Sequence, residues 1–176
     1  MAKSLTTNFN FRAIWDYKNQ PDSTLATDSP SISDSNTFSI LDSLTNGSGA
    51  ADLANLLWHD IRTLAASANE EFDLYGVLED SFGDALSFSK IRMIIIHNRN
   101  ASTNDAVLNV GGATNAFSSW AGDASDIIKV AASGAMILWN PSAAGYAVTD
   151  STADKLKIEN TSGSLSIEYQ IALIGE

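Results

Sequence analysis

Between residues 164 and 174 apolar and polar side chains alternate, with Leu165, Ile167, Tyr169, Ile171 and Leu173 set against Ser166, Glu168, Gln170 and Ala172. A period of two sorts them onto the two faces of a strand, whereas a helix would mix Glu168 with Ile167 and Ile171. The segment is predicted to be a strand with one side in a core and the other in water. Apolar runs of similar length predict further strands over 37–41, 53–63, 70–74, 85–88, 91–97, 106–110, 127–130, 135–139, 146–148 and 155–159. Residues 91–96 are almost continuously apolar, the pattern of a central strand covered on both faces. The stretch 50–68 is ambiguous, because Leu53, Leu56, Leu57, Ile61 and Leu64 also fit a helical stripe. A strand is the favoured assignment there.

Gly, Asn, Asp and Ser fall between these runs, which recur every eight to fifteen residues. That rhythm predicts an all-β fold, an antiparallel β-sandwich, over residues 37–176. Ahead of it the chain changes character. Residues 19–36 are rich in Ser, Asp and Pro and read as linker or extended arm. Before that linker, aromatic and polar residues alternate, and Phe9, Phe11, Trp15 and Tyr17 share one face of a predicted strand. A strand greasy on one side and followed by a linker needs something to cover it. Residues 1–36 are therefore expected to form an N-terminal arm whose contact residues with a neighbouring subunit are Phe9, Phe11, Trp15 and Tyr17.

Composition narrows the partners. Ten basic against twenty-one acidic residues give a formal charge of −11, which repels phosphate backbones and anionic lipid headgroups, so neither nucleic acid nor membrane is an expected partner. Lys90, Arg92 and Arg99 make no groove-filling stripe and read as solvated strand positions. Without cysteine the fold has neither disulfides nor thiolate ligands to lean on. The first residues lack an apolar stretch of signal-peptide length, so synthesis and retention in a cytoplasm are expected.

Reactive constellations are sparse. His59 beside Asp60 resembles a base and its orienter, but neighbours on a strand point to opposite faces, and His97 has no partner at metal-binding spacing. Gly111-Gly112 lacks the lysine of a phosphate loop. Carboxylates gather at Glu70, Glu71 and Asp73, at Glu79, Asp80 and Asp84, and at Asp123 and Asp126, where turn capping is their commonest role. Trp58, Trp120 and Trp139 would suit a sugar platform if exposed, and core or interface otherwise. No catalytic residue, cofactor or metal is expected, and the chain is read as a non-enzymatic module.

The order of turns and strands from Asp73 onward adds a resemblance. It is carried by the run 73–84, then Phe88-Ser89-Lys90-Ile91-Arg92, Leu108-Asn109-Val110-Gly111-Gly112, Gly145-Tyr146-Ala147-Val148-Thr149, Leu156-Lys157-Ile158-Glu159-Asn160 and Ile171-Ala172-Leu173-Ile174-Gly175. In these the chain resembles small virion structural proteins of tailed bacteriophages, the capsid decoration or cement proteins. The resemblance implies a jelly-roll-like sandwich, assembly as a homotrimer, the major capsid protein as partner, and a place on the capsid surface after synthesis in the host. The alternative is a tail-fibre or spike module that binds a receptor or glycan through Trp120 or Trp139.

Overall fold

The computed structural model describes residues 3–19, 32–101 and 106–176, with the backbone alone given for 16–19 and 32–36. The chain divides into two compact units, Thr7–Ser43 and a larger one built mainly from Leu44–Glu176. In chain order the strands are β1 (Thr7–Asn19), β2 (Ile32–Asn46), β3 (Leu53–Ala54), β4 (Leu56–Leu64), β5 (Asn69–Asp73), β6 (Tyr75–Glu79) and β7 (Ala85–Ser87). They continue as β8 (Lys90–Asn98), β9 (Leu108–Gly111), β10 (Ile127–Val130), β11 (Ala135–Trp139), β12 (Tyr146–Ala147), β13 (Lys155–Asn160) and β14 (Ile167–Gly175). There is no helix among the described residues, so the fold is all-β, with several antiparallel sheets.

The larger unit holds two main sheets. One runs β11-β8-β14-β4 with β12 also on β8, and the other runs β10-β9-β13-β5; β6 and β7 form a separate hairpin. The alternation of β14 does what its period demands: Ile167, Tyr169, Ile171 and Leu173 are buried while Glu168 and Gln170 face solvent. With β14 lying between β8 and β4, Ile171 stands opposite Ile96 on one side and Asp60 on the other. Within the ambiguous stretch 50–68, β3 and β4 make 53–54 and 56–64 strand, interrupted at Asn55, whose N–H donates to the Gly175 carbonyl, and the two ends are turns. β8 is interior to its sheet, with six of its nine residues buried and none exposed, in keeping with its apolar run.

One contiguous core draws on both main sheets, taking Ile94, Ile96, Tyr169 and Ile171 from the first and Leu108, Val110, Leu156 and Ile158 from the second. Each such aliphatic side chain, fully buried, stabilises by about 1.5–3 kcal/mol, which is how a chain without disulfides holds these sheets. Two buried amides stitch the loops to this core, since Asn160 Nδ2 donates to the carbonyls of Leu64, Ala65 and Leu165 and Asn98 Nδ2 to those of Ala106 and Val130. Left unpaired in the interior, those carbonyls would each carry a desolvation penalty.

Arg92 departs from its expected solvated position and is fully buried. Arg92 shares the parity of the buried Ile94 and Ile96, and the register between β14 and β8 shifts beside it at Ile174/Gly175, where Met93 and Ile91 are paired and Arg92 is the extra residue. There Arg92 Nη2 donates to the Ala50 carbonyl at 3.0 Å and lies 3.4 Å from Glu176 Oε2. The same carboxylate accepts the Gly49 N–H at 2.6 Å and pairs with Lys90 Nζ at 2.7 Å. Gly175 makes this approach possible, because a Cβ at that position would overlap the Lys90 carbonyl oxygen.

In the smaller unit β1 and β2 lie side by side as a ribbon. β2 begins at Ile32, so the last residues of the expected linker are strand, and 20–31 lie outside the described residues. Beyond Ser43, Thr45 and Asn46 of β2 pair in parallel with Leu53 and Ala54 of β3.

Candidate functional site

The residues expected to contact a neighbour all fall on β1. Phe9 is buried, while Phe11 and Trp15 retain 40% and 41% of their surface in solvent. The side chain of Tyr17 lies outside the described residues. Phe11 meets Phe38 of β2 edge-on, with ring centroids 6.3 Å apart and planes at 69°. That contact puts Phe38, and by parity Ile40, on the same side of the ribbon as Phe9, Phe11 and Trp15. Phe38 and Ile40 are 51% and 38% exposed. The other side is mixed: Asn10 and Arg12 of β1 line a trough of about 330 Å³ with Thr37, Ser39 and Leu41 of β2, and Leu41 and Ile14 on that side are 72% and 65% exposed. The ribbon thus leaves large apolar side chains in solvent on both sides, the aromatic ones on the side of Phe11, Trp15 and Phe38. The sequence reading credited only β1 with this face; the Phe38-x-Ile40 alternation was the signal for the rest.

The titratable candidates are engaged structurally. His59 is exposed on β4 and His97 half-buried on β8, with Ala172 opposite the first and Gln170 and Ala135 opposite the second. Asp60 caps the Ile61 N–H and pairs with Arg62. Glu70 is held by Arg62 Nη2 at 2.6 Å and accepts a short bond from the buried Tyr169 hydroxyl. Burial first, and then this bond to an anion, pushes the Tyr169 phenol far above its usual range. Desolvation alone would raise Asp73, but the bonds from Lys155 and from the Tyr75 N–H outweigh it and hold its carboxyl below the ordinary value. Asp80 caps the Phe82 and Asp84 N–H groups and binds the Lys3 ammonium, which depresses it most. Asp123 accepts from the Ser125 N–H and hydroxyl, and Asp126 from the Gly122 and Asp123 N–H groups. Asp80, Asp123 and Asp126 are turn caps, Glu70 and Asp73 are ion-paired, and Asp80 and Asp84 converge on the Lys3 ammonium.

Among the described residues no group of three or more His, Asp or Glu side chains stands together to hold a metal. A groove lined by Lys3, Leu5, Leu57, Asp80 and Phe82 encloses about 110 Å³, well under the roughly 300–1,000 Å³ of small-molecule sites. Trp58 is a core residue whose ring meets that of Phe72 at 5.0 Å between centroids, with the planes tilted by 55°. Trp120 is half-buried against the core and donates its indole N–H to the Phe117 carbonyl, and Trp139 is half-buried on β11. Gly111 faces the ring of Trp120, at a φ of 110° that an L side chain rarely adopts. Comparison with protein-family models, curated proteins and solved structures brings no match.

Proposed function

We propose that this chain is a virion structural protein of a tailed bacteriophage, a decoration or cement protein that binds and stabilises the outer surface of the capsid. In this reading the two main sheets form a jelly-roll-like β-sandwich, residues 1–36 act as an arm, and the partners are the major capsid protein and further copies of the chain, with a homotrimer implied by the resemblance. The work is binding rather than bond making, and many weak contacts repeated over a shell supply avidity. The observation that carries the reading is the half-exposed face of Phe11, Trp15, Phe38 and Ile40 on a ribbon that forms its own compact unit. A surface poor in charge and carboxylates spent on turn caps and ion pairs agree with it.

The test is co-sedimentation of the full chain with particles assembled from the major capsid protein of the same phage. The wild type should pellet, and Phe11→Ser combined with Trp15→Ser should stay in the supernatant with its core intact. Equal pelleting of both would refute the assignment. The glycan-binding alternative needs an open indole face, and the half-buried Trp120 and Trp139 favour it less; a glycan array separates the two, since a cement protein is silent on it.

A further inference from the structure

An antiparallel sheet with one side on a core turns its alternate side chains to water, and those side chains are ordinarily polar. The two main sheets differ in this respect. On the side of β10-β9-β13-β5 turned away from the core stand Glu71, Asp73, Lys129, Lys155, Lys157 and Glu159, three cations and three anions. On the corresponding side of β4-β14-β8-β11 the strand registers set His59, Ala172, Ile95 and Ile137 in one row. The next row is Ile61, Gln170, His97 and Ala135. Neither row holds an Asp, Glu, Lys or Arg, and each of its side chains is exposed or half-buried, Ile61 to 53% and Ile137 to 40%. Beyond the second row the next charges come as a neutral pair, Glu168 with Arg99 at 2.8 Å. The outer edge of β4 is a poorer place for a partner, because the Ile61 N–H is already taken by the Asp60 carboxylate.

We infer that this uncharged face is covered by the same face of a second copy, the two sheets stacking across a twofold axis. Charge selects the occupant. The chain carries a formal −11, so two copies repel over most of their surfaces, and a contact between them costs least where neither brings a charge. Charge also selects the symmetry. A head-to-tail contact between unlike sheet faces would bury the six charges of the other sheet, whereas like face on like face closes at two. Area fits as well. Four strands about 4.8 Å apart and two rows about 6.7 Å apart make the uncharged patch about 250 Å² per copy. A polar rim one side chain deep brings each copy to about 600 Å² and the pair to about 1,200 Å², the lower end of specific interfaces. Stacked sheets lie about 10 Å apart, a gap that the isoleucines of both copies fill together. A pair of this size dissociates on dilution. It draws no residue from the ribbon, so it is independent of the capsid contact proposed above.

Sedimentation velocity of the full chain over a dilution series tests this. The wild type should approach an even multiple of the chain mass at high concentration, and its association should strengthen as added salt screens the net charge. Ile61→Lys and Ile137→Lys should each weaken association at least tenfold by bringing an unpaired charge into the contact. Both changes also lower the net negative charge, so such a loss has no source in overall repulsion. Ile127→Lys makes the same change at a residue 45% exposed on the outward side of the other sheet, and it should associate like the wild type. Near-ultraviolet circular dichroism confirms that each full-length variant remains folded. A wild type that is monomeric at every concentration, or that assembles in odd multiples, overturns the pairing. So do face variants that associate like the wild type, association that weakens with salt, or a loss in Ile127→Lys as large as theirs. The same samples in the capsid assay keep the two claims apart: an even multimer that never pellets keeps the pairing and loses the capsid role, and a monomer that pellets does the reverse.

Discussion

Replacing Glu176 by Gln removes the anion from a buried charge cluster while leaving its shape. In the native chain the fully buried Arg92 guanidinium has the Glu176 carboxylate at 3.4 Å and the Ala50 carbonyl at 3.0 Å, and its Nε and Nη1 find no protein acceptor. Taking one partner from a buried pair leaves a charge without compensation, at a cost of about 3–5 kcal/mol. The glutamine keeps a carbonyl for the Gly49 N–H, so the lower end, about 3 kcal/mol, applies. For a chain of this size that lowers the melting temperature by about 6–12 °C. Arg92→Met should be milder, about 1–2 kcal/mol, because the carboxylate then retains Lys90 and the Gly49 N–H while the methionine fills part of the space. The pH dependence has a definite sign. Burial would raise the Glu176 carboxyl, but the bonds from Lys90 and Gly49 and the charge of Arg92 outweigh it and hold its pKa below the ordinary 4.5. A depressed carboxyl stabilises fully above that ordinary value and loses its contribution as pH falls through the folded one. Urea unfolding of the larger unit, followed between neutral and acid pH, should show a slope for the wild type that Glu176→Gln lacks. Loss of less than about 1 kcal/mol in Glu176→Gln, or greater damage from Arg92→Met, would refute the reasoning.

Tyr169 supplies the opposite sign. Its raised phenol leaves stability intact below the ordinary value of 10.0 and erodes it as pH climbs above that, so the wild-type urea midpoint should fall between about pH 8 and pH 11 more steeply than that of Tyr169→Phe. Equal slopes would count against it. Gly175→Ala places a methyl group into the Lys90 carbonyl, so β14 must shift away from β8; a loss of about 1–3 kcal/mol in urea unfolding is expected, and a neutral result would show that the bulge relaxes freely.

Where a residue's fate follows from its own strand, the sequence was a sufficient guide. The alternation of β14 and the apolar run of β8 each name a period, and β10 and β11 have the predicted bounds because polar or glycine-containing turns close them on both sides. What escaped depends on a partner elsewhere in the chain. β6 was not predicted, since Tyr75, Gly76 and Val77 are all exposed and only Leu78 is buried, a pattern without a period that pairing with β7 nonetheless holds. The polar start of β2 read as linker because its strand conformation comes from a neighbour rather than from an apolar face. Arg92 looked solvated because of its charge, and the partners that let it be buried, Glu176 and the Ala50 carbonyl, lie far away in the chain. At the candidate site the parity of Phe9, Phe11 and Trp15 was legible, whereas the place of Phe38 beside Phe11 required the pairing of two strands separated by a long polar stretch.

The central place of β14 bears on how the chain is made. β4 emerges from the ribosome long before its only neighbour on that side, with Leu64 waiting for Ile167 and Leu56 for Gly175, and β8 waits for the same strand. Until then the nascent protein carries unsatisfied, aggregation-prone edges, and sheets closed by such distant segments assemble slowly. Biogenesis in quantity therefore depends on late closure by one strand, which makes that strand the point at which translation arrest or a chaperone would decide yield.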